Sequence, residues 1–104
     1  MKNLKAAVSH YEQLIKALCA NARFAHDYLT AAIEDDDSRV LLVALRTVVE
    51  ARGMARVGER AGIPRHGLYR TLSAKESPRL TTLLAVLKAT GLRFSPEERK
   101  HRAA

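Results

Sequence analysis

The stretch Met54-Ala55-Arg56-Val57-Gly58-Glu59-Arg60-Ala61-Gly62-Ile63-Pro64-Arg65-His66-Gly67-Leu68-Tyr69-Arg70-Thr71-Leu72-Ser73 decides the fold. It reads as two short helices, Met54 to Ala61 and Arg65 to about Ser73, joined by a sharp turn. Gly62 supplies the residue that tolerates positive φ at that turn. Gly58, four positions earlier, gives the first helix a small residue where the second crosses closely. Ile63 plugs the angle between them, and Leu68 and Leu72, at i and i+4, bury one side of the second helix. This is a helix-turn-helix pattern. It leaves Arg65, His66, Gly67, Tyr69, Arg70 and Ser73 free to meet guanine edges and phosphates in a major groove. Glycine-closed helix pairs also occur in helical proteins that bind no nucleic acid, so the pattern alone leaves both readings open.

Outward from this stretch the apolar residues keep helical spacing, and no segment alternates with period two. Upstream, Arg39 to Arg52 predicts a helix whose wide apolar arc (Val40, Leu41, Val43, Ala44, Leu45, Val48, Val49) makes it central to the core. Gly53 ends it. Asp37 or Ser38 is its N-cap, since a short side-chain oxygen can accept from the orphan amides of a first turn. The run Glu34-Asp35-Asp36-Asp37 complements the positive end of that helix. It lacks the later Gly and Glu of a calcium loop. Before it, residues 25–33 predict a short helix with Phe24, Tyr28, Leu29, Ala32 and Ile33 on its apolar side, and Asn21-Ala22-Arg23 loosens the chain ahead of it. Residues 3–20 read as an amphipathic helix with Leu4, Ala7, Val8, Tyr11, Leu14, Ile15 and Leu18 on one face. That face either covers the protein's own core or, spaced as in a short coiled-coil seam, pairs with a second chain. Downstream, Lys75 to Pro78 is a loop. A last helix, Arg79 to Thr90, directs Leu80, Leu83, Leu84, Val86 and Leu87 inward and is closed by Gly91. The charged tail from Ser95 to Ala104 has no apolar face and is expected to fray.

The 104 residues suffice for one compact domain. The net charge is +7, and it is uneven: residues 1–50 sum to −1 and residues 51–104 to +8. All the excess positive charge therefore sits in the half that holds the helix pair, as expected of a segment facing phosphates. A basic surface without a partner would give the same composition, so charge counts only beside the motif. The single cysteine, Cys19, reads as a packing residue on the first helix's apolar stripe and fits a reducing setting. No apolar run reaches the roughly 20 residues of a membrane span. Met1-Lys2-Asn3-Leu4-Lys5 is followed by no apolar h-region, so a cytoplasmic location is expected. His10, His26, His66 and His101 fall in four separate segments, and none has a catalytic or zinc spacing with Cys19 or a carboxylate. His26 and Asp27 are adjacent and are expected to point to different helix faces. No enzyme, cofactor or metal site is expected.

Several segments together resemble a known family. They are Asp27-Tyr28-Leu29-Thr30-Ala31-Ala32-Ile33-Glu34, Leu42-Val43-Ala44-Leu45-Arg46, Ala51-Arg52-Gly53-Met54, Gly67 to Ser73, Ser77-Pro78-Arg79-Leu80 and Leu83 to Arg93, with His10-Tyr11 and Leu14 to Leu18 also in keeping. Over about residues 10–94 the chain is similar to addiction-module antidote proteins, HigA-like antitoxins with a Cro/repressor-type (XRE) helix-turn-helix. The resemblance implies an all-α, compact, lambda-repressor-like DNA-binding domain with an extra N-terminal amphipathic helix. Its parts would be an N-terminal helical extension (1–37), the helix-turn-helix domain (38–94) and the charged tail (95–104). It implies a homodimeric repressor that binds double-stranded operator DNA and neutralises a RelE/ParE-type, HigB-like toxin encoded beside it. Carried over residue by residue, base reading falls to Arg65, His66 and Arg70. Phosphate contacts fall to Arg56, Tyr69, Ser73, Ser77 and Arg79.

Three positions depart from the family pattern. Pro64 stands where Ser or Asn commonly opens the second helix, which suits a first turn but removes a capping oxygen. Ala55 stands where Ser or Thr commonly caps the first. Gly58 replaces the usual Ala, at a helix-propensity cost of about 1 kcal/mol. Two other roles stay open: a stand-alone prophage-type regulator, and an adaptor that works through protein contacts of the first helix.

Overall fold

The computed structural model describes residues 2–73, 75 and 77–94, and all the elements among them are α-helices. They are α1 (Lys2–Ala20), α2 (Ala22–Ile33), α3 (Ser38–Arg52), α4 (Met54–Ala61), α5 (Arg65–Thr71) and α6 (Leu80–Ala89). The charged tail expected to fray, residues 95–104, lies outside the described residues. No helix among the described residues is long and apolar enough to cross a membrane.

Local chemistry fixes where the helices begin and end. Asn21 does not loosen the chain: its side-chain oxygen accepts from the Phe24 N–H at 3.0 Å and starts α2 at Ala22, three residues before the apolar pattern begins. Asp37 caps α3 as expected, accepting from the Arg39 N–H at 2.9 Å. Gly53, with φ of 100°, separates α3 from α4, and Gly62 closes α4 in the left-handed region at φ 72°. Such angles favour glycine because a Cβ would crowd the following carbonyl.

Packing runs outward from α3, against which α1, α2 and α4 all lie, while α4 in turn carries α5 and α6. Leu18 of α1, Leu29 of α2, Leu45, Val48 and Val49 of α3, Val57 of α4, Leu68 of α5 and Val86 of α6 lose all or nearly all contact with water and meet in one cluster. Each such side chain stabilises the fold by about 1.5–3 kcal/mol relative to exposure, which is how helices of seven and eight residues persist.

Four expectations need correction. On α1 only Leu18 is fully buried, whereas Leu4 is 68%, Val8 48% and Tyr11 44% exposed. The amino-terminal half of that stripe does not cover the protein's own core. Cys19 is exposed, one position off the buried Leu18 and therefore turned about 100° away from it. On α2 and α3, Phe24, Ile33, Val40 and Val43 are exposed. Val40 and Val43 line an apolar groove of about 470 Å³ with Tyr28, Ala31, Ala32 and Ala44. On α6, Val86 and Ala89 are buried while Leu80 and Leu84 are exposed. Those two leucines form an i,i+4 pair lying roughly 120–160° around the helix from Val86, so the five expected positions could not all face inward.

Candidate functional site

The site begins with a backbone contact. Gly58 is buried in α4, and a Cβ built on it would stand 2.7 Å from the Ile63 carbonyl oxygen and 3.7 Å from Leu68 Cδ2. The Ile63 N–H also donates to the Gly58 carbonyl at 2.9 Å. The turn therefore folds directly onto α4, and only a residue without a side chain allows it. Gly62 turns the chain, Ile63 is half-buried against the core, and Leu68 and Leu72 anchor α5 beneath. These five positions hold α5 rigidly on α4 and settle which of its residues meet solvent.

Arg65, His66 and Arg70 are all exposed on α5. His66 and Arg70, four apart, share the side opposite Leu68 and Leu72, while Arg65 occupies the first helical position. Of the other predicted residues, Arg56, Ser77 and Arg79 are exposed, Arg79 at the N-cap of α6. Ser73 is half-buried, and its hydroxyl accepts from the Lys75 N–H at 3.3 Å. Tyr69 is half-buried, with the Arg46 guanidinium 5.6 Å from its ring centre. Most of its ring is therefore packed rather than presented, unlike its neighbours on α5.

A polar chain reaches this tyrosine from α1. The Tyr11 hydroxyl of α1 donates to one Glu50 carboxylate oxygen, and Arg46 donates to the other at 3.2 Å. Tyr11, Glu50, Arg46 and Tyr69 thus connect α1 through α3 to α5. Sequence reasoning missed this link because, apart from the i,i+4 pair Arg46 and Glu50, its contacts join residues far apart in the chain, Tyr11 to Glu50 and Arg46 to Tyr69.

The distribution of ion pairs follows the charge asymmetry. Among the described residues the pairs are Arg23 with Asp27, His26 with Asp27, Arg39 with Asp37 and Arg46 with Glu50, all before residue 51. His26 Nδ1 lies 3.2 Å from Asp27 Oδ1, so these neighbours touch rather than diverge, and the imidazole also stacks on Phe94 at 5.0 Å. The hydrogen bond to His26, with Arg23 beside it, holds the Asp27 carboxyl below its ordinary range. The Arg39 side chain and backbone N–H do the same for Asp37, and the side-chain hydrogen bond with Asp37, together with its charge, raises Arg39. No arginine from Arg52 to Arg93 has a carboxylate within 4 Å among the described residues. Arg52, which the sequence reading passed over, is the extreme case. Its Nε and Nη2 are buried with no hydrogen-bond partner among the described residues.

Comparison with known proteins agrees with this picture at the level of family. Residues 13–98 match the family model described as "Probable addiction module antidote protein". A protein of Haemophilus influenzae described only as uncharacterized is 35% identical over 71 residues, which cover 68% of this chain and 73% of that one. No solved structure matches. A match that spans most of the chain, helix pair included, places this protein in the addiction-module antidote family.

Proposed function

We propose that this antidote protein is a sequence-specific DNA-binding repressor, a HigA-like antitoxin that binds operator DNA through an XRE-type helix-turn-helix formed by α4 and α5. The observation that carries the reading is the set of unpaired cations around that helix pair. Arg56, Arg65, Arg70 and Arg79 are exposed and have no carboxylate partner among the described residues, whereas Asp27, Asp37 and Glu50 of the other half are each paired with an arginine. Guanidiniums free of internal partners are available to phosphates and guanine edges, and a duplex presents one negative charge per roughly 1.7 Å of axis. On this reading Arg65, His66 and Arg70 read bases. Arg56, Tyr69, Ser73, Ser77 and Arg79 hold the strands, with the Tyr69 contact limited to its hydroxyl edge. Residues 38–94 form the DNA-binding unit and residues 1–37 its extension.

Replacing Arg65 or Arg70 with Ala is expected to lower affinity for the operator by about 1–3 kcal/mol each and relax specificity. Replacing Arg79 weakens all sequences alike and flattens the salt dependence. Gel-shift titrations at two salt concentrations separate these effects. Unchanged binding by both α5 variants would move the site elsewhere.

An antidote implies a toxin, and we assign that partner to a RelE/ParE-type, HigB-like protein encoded in the adjacent reading frame, with the antidote acting as a homodimer. The exposed Leu4, Val8 and Tyr11 of α1 favour protein contacts at this end, in the dimer or with the toxin. Scattered single apolar residues are ordinary on a surface, but three on one helix face at i, i+4 and i+7 are a contact stripe. Co-expression with the adjacent frame and co-purification tests the toxin assignment. Absence of any such frame or complex leaves a stand-alone regulator. Light scattering on a variant with Leu4 and Val8 changed to Ser shows whether the stripe holds the dimer.

A further inference from the structure

The unpartnered guanidinium of Arg52 does not stand alone. Arg56 and Arg60, four apart on α4, converge with it on a cavity of about 90 Å³, closed on its other side by Val57 and the Ala89–Gly91 end of α6. Arg60 Nη1 lies 3.7 Å from where a Gly91 side chain would begin, so its guanidinium rests against that end. Among the described residues no carboxylate lines the cavity. An adjoining cavity adds Lys88 to the same positive wall through the shared Arg60.

Three cations held together without a counter-charge repel one another, and buried donors without acceptors cost free energy that a folded chain ordinarily avoids. A plain structural reading would have the arginines cap the carbonyls that end α6. Arg52 Nε and Nη2 reach none of those carbonyls. The Thr90 hydroxyl is already committed, donating to the Leu87 carbonyl at 2.6 Å and accepting from the Leu92 N–H at 3.3 Å. The half-charge of a helix end also falls well short of three full positive charges.

We infer that Arg52, Arg56 and Arg60 form a binding pocket for one phosphate group. The cavity has room for a single oxyanion. Geometry favours phosphate over carboxylate. One planar guanidinium fork satisfies both oxygens of a carboxylate, whereas the oxygens of a tetrahedral phosphate accept from several guanidiniums arriving in different directions. Here they arrive from the end of α3 and from two turns of α4. The phosphate can come from a DNA strand or from a free phosphate or phosphomonoester. The pocket stands independently of the duplex reading, and only the strand source rests on it.

The test is a titration of the full chain with inorganic phosphate at constant ionic strength, followed by calorimetry and phosphorus NMR. Saturable one-to-one binding is expected, weakened at least tenfold in Arg52→Gln and in Arg60→Gln and unchanged in Arg65→Ala/Arg70→Ala. Because Arg60 is exposed, its variant keeps the fold and guards against misfolding of Arg52→Gln, with helix content checked by circular dichroism. Duplex titrations with the same variants identify the source. A uniform loss across sequences, with the salt slope reduced by about one, assigns the pocket to a strand phosphate. Unaltered duplex binding alongside lost phosphate binding assigns it to a free phosphate or phosphomonoester. Absence of saturable phosphate binding, or binding that both glutamine variants leave intact, overturns the pocket whatever the duplex shows. Phosphate binding that persists while Arg65→Ala/Arg70→Ala leaves duplex affinity unchanged overturns only the α5 reading.

Discussion

The two halves of this molecule treat their polar groups in opposite ways. In α1 to α3 the starts of α2 and α3 are capped by the side chains of Asn21 and Asp37, three arginine–carboxylate pairs form, and His26 contacts Asp27. In α4 to α6 the N-cap positions hold Gly53, Pro64 and Arg79, and none of the three helices has a side-chain cap. The arginines there have no carboxylate partners among the described residues. A buried scaffold loses stability with each donor left unsatisfied. A surface that binds anions needs donors left free, and from Arg52, the last residue of α3, to Arg93 the arginines are left without carboxylates among the described residues. The difference separates a region that meets more of its bonding internally from one whose cations are left open.

The harshest way to break the second region is at its backbone contact. Gly58→Ala gains about 1 kcal/mol of helix propensity but drives a Cβ to 2.7 Å from the Ile63 carbonyl oxygen. That overpacking against backbone is expected to dominate, for a net loss of about 1–3 kcal/mol in denaturant unfolding. The family's usual Ala at this position would therefore fail here without a shift of the turn. An Ala variant as stable as the parent would mean that α4 and the Ile63 turn are not in close contact. By the same test Gly62→Ala, strained by a left-handed φ but meeting no atom within 4 Å, loses less.

A change of opposite sign sharpens the contrast. If the scaffold rule were imposed on Arg52, by replacing it with Met to keep the stem and delete the unpaired charge, the free protein should gain about 1 kcal/mol. For a chain of this size that corresponds to a melting point higher by about 4–8 °C. Asn21→Ala should lose about 1 kcal/mol with its cap. Arg79→Ala, at a start without a side-chain cap, should leave thermal stability nearly unchanged while weakening DNA binding. A destabilised Arg52→Met would show that this arginine belongs to the scaffold after all.

Most of the second region was legible in the sequence, and much of the first was not. Glycines at 53, 58, 62 and 91 punctuate the chain, and each closure or crossing has a backbone cause that a residue type announces. Positions 65, 66 and 70 follow by helical spacing from Leu68 and Leu72. By contrast, the apolar stripe of α1 marked a helix without saying how far α3 extends beneath it, so whether Leu4 and Val8 cover the core or meet a second chain stayed open. The leucines of α6 exceeded what one buried face can hold, and composition does not choose among them. Arg52 escaped because nothing local distinguishes an arginine at a helix end from any other. Only the folded chain brings it beside Arg56, Arg60 and the end of α6.

The smallest expected effect bears on the first region's ion pairs and has a definite sign. Asp27 and Asp37 titrate below the ordinary carboxylate range in the folded chain, through His26 and Arg23 for one and Arg39 for the other. A carboxyl held low when folded contributes stability that is fully present above its unfolded pKa and is lost as pH falls through its folded one. Stability should therefore decline in acid, and the decline should be shallow because both groups are exposed and salt screens them. Arg39 is raised by the same contact and stays charged throughout, so it adds no step of its own below neutral pH. Asp37→Asn should remove part of this acid dependence, and high salt should remove more, while the phosphate response of Arg52 and Arg60 stays intact above pH 5. An equal loss of phosphate binding in Asp37→Asn would show that the two halves are not independent in the way their bonding implies.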